Sequence, residues 1–313
     1  MAKSHELNIP AHYNIYNGSN SRNLNIYFSE PENGVNSETG ILLLIPGFGG
    51  NSQSNVYKKM RSLFADQHNL IVVQCDYFGS EFMQSTNRFN FDFEKYKALF
   101  SANLGIKLKN DASAEKLLEE LAKYECVVNA TEILDESVDN FNDMGFMQAL
   151  DLLTAVYAVK AVLSDNQLVY NENKIIAYGH SHGAYLSLLC NRIAPNEFTL
   201  IIDNSAWIKP VYLESARCLW QKYGKMTMQI EFDYFAQRYH YDKEILDLSV
   251  LYKNFDNQAK ITAFHGIDDN LVSYSLKREF YKGIKNTEFN LVDEGMVDNK
   301  LFFSSSHGLN ADF

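Results

Sequence analysis

The stretch Lys174-Ile175-Ile176-Ala177-Tyr178-Gly179-His180-Ser181-His182-Gly183-Ala184 runs from an apolar segment through G-x-S-x-G into Tyr185-Leu186-Ser187-Leu188-Leu189-Cys190. Residues 174–178 read as a buried strand and 184–192 as a helix, so the motif occupies a strand-to-helix turn. The spacing has a mechanical reason. A serine at the tip of such a turn sits on strained backbone with its hydroxyl exposed, and small residues two positions either side let strand and helix approach. The helix then aims its N-terminus at the site, where developing negative charge is favoured. Ser181 is therefore the candidate nucleophile. His180 and His182 flank it on a sharp turn, point different ways and have no carboxylate cluster beside them, so packing or substrate contact is expected of them rather than metal binding.

Working outward, further short apolar runs occupy 41–45, 70–74, 199–202, 261–264 and 289–292. Each is closed by Gly, Asp, His or another polar residue, which is how strands covered by helices on both faces look. Residues 23–28 alternate instead and read as a half-exposed strand. Helical patterns at 147–163 and 184–192 lie between the runs. Alternating strand and helix units predict an α/β fold with a mostly parallel, doubly wound sheet. Two spans interrupt the alternation, 79–142 and 207–256. Residues 112–124 within the first look helical, and the second holds Trp207 and Trp220. Segments this long in a compact domain are usually lids or binding loops. The expectation is one domain over 1–313 with these spans as helical cap insertions.

Composition narrows the function classes. Net charge is −11, and no Lys/Arg run is present. Neutralising phosphates drives nucleic-acid binding, so no nucleic-acid partner is expected. The opening Met-Ala-Lys-Ser-His-Glu-Leu-Asn-Ile-Pro does not resemble a signal peptide. The best apolar run, 41–45, is too short to span a bilayer, so no membrane span and a cytoplasmic location are expected. Cys75, Cys126, Cys190 and Cys218 are widely spaced, as for reduced thiols rather than a zinc site. The loop Pro46-Gly47-Phe48-Gly49-Gly50-Asn51 after 41–45 lacks the G-K-[ST] of a phosphate loop. No cofactor and no metal are expected.

The order of strands, glycine loop, serine turn and a late histidine resembles the α/β-hydrolase superfamily from about Asn23 onward. The chain also looks like a bacterial branch of it, some members of which are encoded near flagellin-glycosylation genes. The resemblance implies a triad in the chain order serine, acid, histidine. After His265, which closes a strand, the remaining histidine is His307, in Ser304-Ser305-Ser306-His307-Gly308. The apolar Leu301-Phe302-Phe303 is expected to anchor that loop. His265-Gly266-Ile267-Asp268-Asp269-Asn270-Leu271-Val272 resembles the H-G-x-x-D-x-x-V segment of many members, and its register selects Asp269. Asp268 is the close competitor, Asp203 a further one, and Asp293 and Glu294 follow. One of the paired carboxylates is also placed to cap a helix beginning near Ser273. The glycine loop resembles the H-G-x-x-G oxyanion loop of lipases and esterases, with Pro46 in place of the histidine. The implied oxyanion donors are the backbone N–H groups of His182 and Phe48, with Gly49 the alternative to Phe48.

These residues point to a serine hydrolase acting on a carboxylic ester, an esterase or deacylase working through an acyl-enzyme. The aromatic insertion suits stacking on sugar rings, which directs the reading toward a glycan-linked small-molecule acyl substrate. The same triad serves a peptidase, an amidase or an acyltransferase. A binding protein that keeps the fold without the chemistry is the alternative from another class.

Overall fold

The structure, a computed structural model, describes residues 1–84, 88–104, 113–239 and 241–310. The segment Gly40–Ile45 is buried at every position. Strand side chains alternate between faces. Ile41, Leu43 and Ile45 therefore enter one apolar layer, while Leu42 and Leu44 enter another with Met60 and Ala65 of the helix Asn55–His68. A segment apolar on both faces has to be covered on both faces, and this one is.

The strands in chain order are β1 (Lys3–Pro10), β2 (Asn23–Glu30), β3 (Gly40–Ile45), β4 (Leu70–Cys75), β5 (Phe89–Asn90) and β6 (Val127–Glu132). They continue with β7 (Ile175–His180), β8 (Leu200–Asn204), β9 (Arg217–Tyr223), β10 (Met226–Phe232), β11 (Lys260–Gly266) and β12 (Thr287–Val292). The central eight-stranded sheet has the order β1-β2-β4-β3-β7-β8-β11-β12. The pairs β1–β2 and β2–β4 are antiparallel. From β4 to β12 all neighbours are parallel. The doubly wound, mostly parallel sheet is the one the alternating pattern predicts. The sequence reading lacks β1, whose exposed, polar Lys3–Pro10 carries little apolar signal.

The helix Phe146–Asp165 contains an 18-residue window of mean hydropathy 1.5, long and apolar enough for a bilayer by composition. In the fold it packs on the helix His182–Ile193 and on β4, burying Met147, Leu152, Val156 and Val159. The helical pattern read at 147–163 falls within it. The helix read at 112–124 is Ala114–Leu121, capped by the Ser113 hydroxyl; Ala112 lies outside the described residues.

The two interrupting spans do not form a purely helical cap. They contribute a four-stranded sheet, β5-β6-β10-β9, together with the helices Phe93–Leu104 and Ala114–Leu121. Strands β5 and β6 come from the first span, β9 and β10 from the second. They join through the parallel pair β6–β10, in which Val127 faces Thr227. Val128 and Ala130 with Met226, Met228 and Ile230 form their own apolar layer beneath Leu117 and Leu121.

Candidate active site

Ser181 follows β7 and begins the helix His182–Ile193, at φ 55° and ψ −117°. That left-handed conformation is costly for a residue with a Cβ and occurs where surrounding structure enforces it. The glycines show what enforces it. A Cβ at Gly179 would lie 2.3 Å from the backbone of Gly183 and Ala184, and one at Gly183 would lie 2.4 Å from the carbonyl oxygens of Ile45 and Pro46. The turn is closed against itself and against the end of β3, as the motif's spacing requires.

Three sequence-predicted side chains meet there. Ser181 Oγ lies 2.6 Å from His307 Nε2, and His307 Nδ1 lies 2.7 Å from Asp269 Oδ2. The other carboxylate oxygen of Asp269 accepts the N–H groups of Leu271 and Val272, each at 2.9 Å. Burial opposes ionisation of Asp269. The hydrogen bond and charge of His307, with those two N–H groups, outweigh it and hold the carboxyl below its ordinary range. His265 Nε2 is 3.6 Å from Asp269 Oδ2, too long for a hydrogen bond. Burial, reinforced by Lys277, keeps its imidazole neutral, so it forms no ion pair, and Nε2 instead meets the Val272 carbonyl at 2.9 Å.

The competing acids are occupied elsewhere. Asp268 accepts the Ser305 hydroxyl at 2.6 Å. Asp203, at the end of β8, is fully buried with Lys277 at 2.7 Å, the Tyr281 hydroxyl and the Ala206 N–H. It serves a structural ion pair. Lys277→Met would leave that carboxylate buried without its cation. It is expected to destabilise the fold by about 3–5 kcal/mol, read as a lower urea midpoint; an unchanged midpoint would contradict the structural role. Asp293 caps the short turn Glu294–Met296. Ser273, not an aspartate, is the N-cap of the helix Tyr274–Lys282.

The loop carrying His307 is held differently from expectation. Leu301 is 79% exposed and Phe303 40% exposed, so the apolar triplet is not a buried anchor, although Phe302 packs near Phe264. Hydrogen bonds hold it instead. Asp268 N–H donates to the Ser305 carbonyl, Gly308 N–H to Ser205 Oγ, and Asn204 Nδ2 to the Gly308 carbonyl. His240 lies outside the described residues.

The glycine loop faces Ser181 across a cavity of about 390 Å³ lined by Gly47, Phe48, Gly49 and Gly50 together with His180, Trp207 and others. His182 N–H belongs to the first turn of its helix, where backbone donors have no acceptor within the helix. The Phe48 ring packs on His182, Trp207 and Tyr212, at centroid distances of 5.4, 5.5 and 4.9 Å. The Gly49 carbonyl accepts Gln84 Nε2, tying the loop to the cap. Burial lowers the His182 pKa to about 3, and its Nε2 meets Gln148 Oε1 at 2.8 Å. Burial and the neighbouring His307 lower His180 to about 4. Both flanking histidines are therefore neutral at pH 7; His182 is a buried packing group, whereas His180 also lines the cavity. Arg217, Tyr57 and Tyr212 also line the cavity and were not singled out in the sequence. Nothing in Ser215-Ala216-Arg217-Cys218 marks the arginine, because its role comes from the placement of β9.

Compared with known families, residues 30–241 match Protein of unknown function (DUF2920). The chain belongs to the DUF2920 family. The matched region holds the glycine loop, Ser181 and the four cap strands of this DUF2920 chain, while Asp269 and His307 follow it. No curated protein sequence matches. Among solved structures, the Pyrococcus horikoshii acylaminoacyl peptidase is similar at 11% identity and TM-score 0.53, over 98% of this chain and 38% of that one. A putative dipeptidyl aminopeptidase IV from Bacteroides ovatus is similar at 12% identity and TM-score 0.52, over 94% of this chain and 32% of that one. Est1E from Butyrivibrio proteoclasticus matches at 16% identity and TM-score 0.45, over 90% of this chain and 89% of that one. The DUF2920 chain thus spans about a third of the length of the two peptidases, and its fold is the α/β-hydrolase fold.

Proposed function

We propose that the chain is a serine hydrolase that cleaves a carboxylic ester through an acyl-enzyme. The carrying observation is the continuous hydrogen-bonded line from Ser181 Oγ through His307 to Asp269, at 2.6 and 2.7 Å. His307 Nε2 takes the hydroxyl proton as Oγ attacks the acyl carbonyl. Asp269, held ionised, keeps the Nδ1 proton on its own side and stabilises the imidazolium that forms. The carbonyl oxygen becomes an oxyanion that the N–H groups of Phe48 and His182 receive. Collapse expels the alcohol, which leaves with the proton from His307. Water, deprotonated by His307, then attacks the acyl-serine and releases the acid.

The test is a fluorophosphonate probe on the purified protein, followed by a panel of short- and long-chain acyl esters, acylated sugars and aminoacyl amides. Labelling at Ser181 with turnover of esters over amides is the expected result. Amides cleaved faster than esters would replace the reading with a peptidase. An unlabelled Ser181 would replace it with a non-catalytic binding protein.

A further inference from the structure

Among the described residues, those lining the catalytic cavity offer donors and one cation, and none of them is acidic. Arg217 of β9 supplies the cation. One guanidinium nitrogen, Nη1, donates to the Met83 carbonyl and to the Tyr234 hydroxyl. The plane lies on two rings, with Cζ 5.1 Å from the Phe48 centroid and 4.6 Å from that of Phe232. The other nitrogen, Nη2, lies beside Gly49, 3.5 Å from where a Cβ on that residue would sit. Among the described residues Arg217 pairs with no carboxylate, in contrast to Arg22, which pairs with buried Asp151, and to the buried pair Lys277 and Asp203. Trp207 also lines the cavity, and its buried indole N–H has no hydrogen-bond partner among the described residues. A buried donor without a partner is uncommon and calls for an explanation.

We infer that the acyl part of the substrate carries an anionic group, a carboxylate or a phosphate, that pairs with Arg217. Guanidinium favours such oxygen anions because its fork of donors matches their geometry. The location assigns the anion to the acyl part. The leaving alcohol has to lie against His307, which returns its proton, whereas Arg217 lies against Phe48 and Gly49 of the oxyanion loop. A chain of net charge −11 repels anions at long range. The cation is therefore a local selector, and selectivity is expected to persist at salt concentrations that screen the surface. The inference rests on the serine-hydrolase reading, since that reading defines the acyl side.

The experiment compares p-nitrophenyl monoesters of succinate, glutarate and adipate with the neutral pentanoate ester, in wild type, Arg217→Gln and Arg217→Lys. At least one acidic ester is expected to exceed the neutral one in kcat/KM. Arg217→Gln is expected to lower the acidic-to-neutral ratio by about 10- to 100-fold, as loss of a charge-assisted hydrogen bond does, through KM rather than kcat. Arg217→Lys keeps the charge and is expected to retain part of the ratio. Tryptophan fluorescence titration with glutarate and with inorganic phosphate supplies a readout independent of turnover and separates the two anion chemistries. Binding of either that weakens in Arg217→Gln supports the site. A wild-type enzyme that labels at Ser181, prefers the neutral ester and binds neither anion overturns this inference alone, whereas a protein that does not label overturns the parent reading. If circular dichroism shows Arg217→Gln unfolded, the Arg217→Lys ratio and the wild-type titrations decide between the same outcomes.

Discussion

Replacing Ser181 by alanine is expected to reduce turnover by about a million-fold, the scale on which loss of a triad nucleophile acts, and to abolish fluorophosphonate labelling. The fold should survive. Alanine keeps the Cβ that already tolerates φ 55° at this position, and the side chain removed is a single hydroxyl bonded to His307. Losing one such hydrogen bond changes stability by about 1 kcal/mol. Labelling that persists at another serine would move the nucleophile and dissolve the proposed mechanism. Unchanged turnover with normal folding would do the same.

Asp269→Asn is expected to lower kcat by about ten-thousand-fold, and Asp268→Asn far less. The reason is which atom faces the imidazole. Asp269 Oδ2 accepts from His307 Nδ1 at 2.7 Å, so Nε2 is left free to take the serine proton. The backbone N–H groups of Leu271 and Val272 require an oxygen at the other position. Asparagine therefore turns its NH2 toward His307, which must then accept at Nδ1 and carry its proton on Nε2. That tautomer cannot receive a proton from Ser181. Asp268 instead accepts the Ser305 hydroxyl, and its amide can still accept there. A larger loss for Asp268→Asn, or for Asp203→Asn with the fold intact, would reassign the acid. Steady-state kinetics on one ester, with thermal melts of each variant, separates the cases.

The sheet was legible because covering a strand on both faces forces a short apolar run, and polar residues or glycine close each one. Residues 41–45 and 70–74 show it plainly. The Ser181 turn was legible for a related reason: backbone contacts of 2.3 and 2.4 Å leave no room for anything but glycine at 179 and 183. The cap was less so. Met226, Met228, Ile230 and Phe232 alternate with Thr227, Gln229 and Glu231, a period-two pattern that marks a one-sided strand, yet its partner Val127–Glu132 lies far away in sequence and gives no local cue. The edge strand Lys3–Pro10 buries too little to carry a pattern. Arg217 was illegible for a different reason. A cation declares itself only by what stands around it, and the rings that hold it, Phe48 and Phe232, come from separate elements.

The pairing of Val127 with Thr227 has a consequence for how the chain acquires its shape. Between those two residues lie the whole of β7, the serine turn and β8. Closing so long a loop in an unstructured chain carries a large entropic penalty before any contact is made. Pairing of β7 with β3 and β8 shortens the effective loop, because it fixes both ends of the intervening segment on one scaffold. The cap sheet is therefore expected to form late, after assembly of the core. Its two halves cannot meet on the ribosome until β10 has emerged. On that order, the wall that bears Arg217 would be added to a floor whose β7 and β8 are already in place.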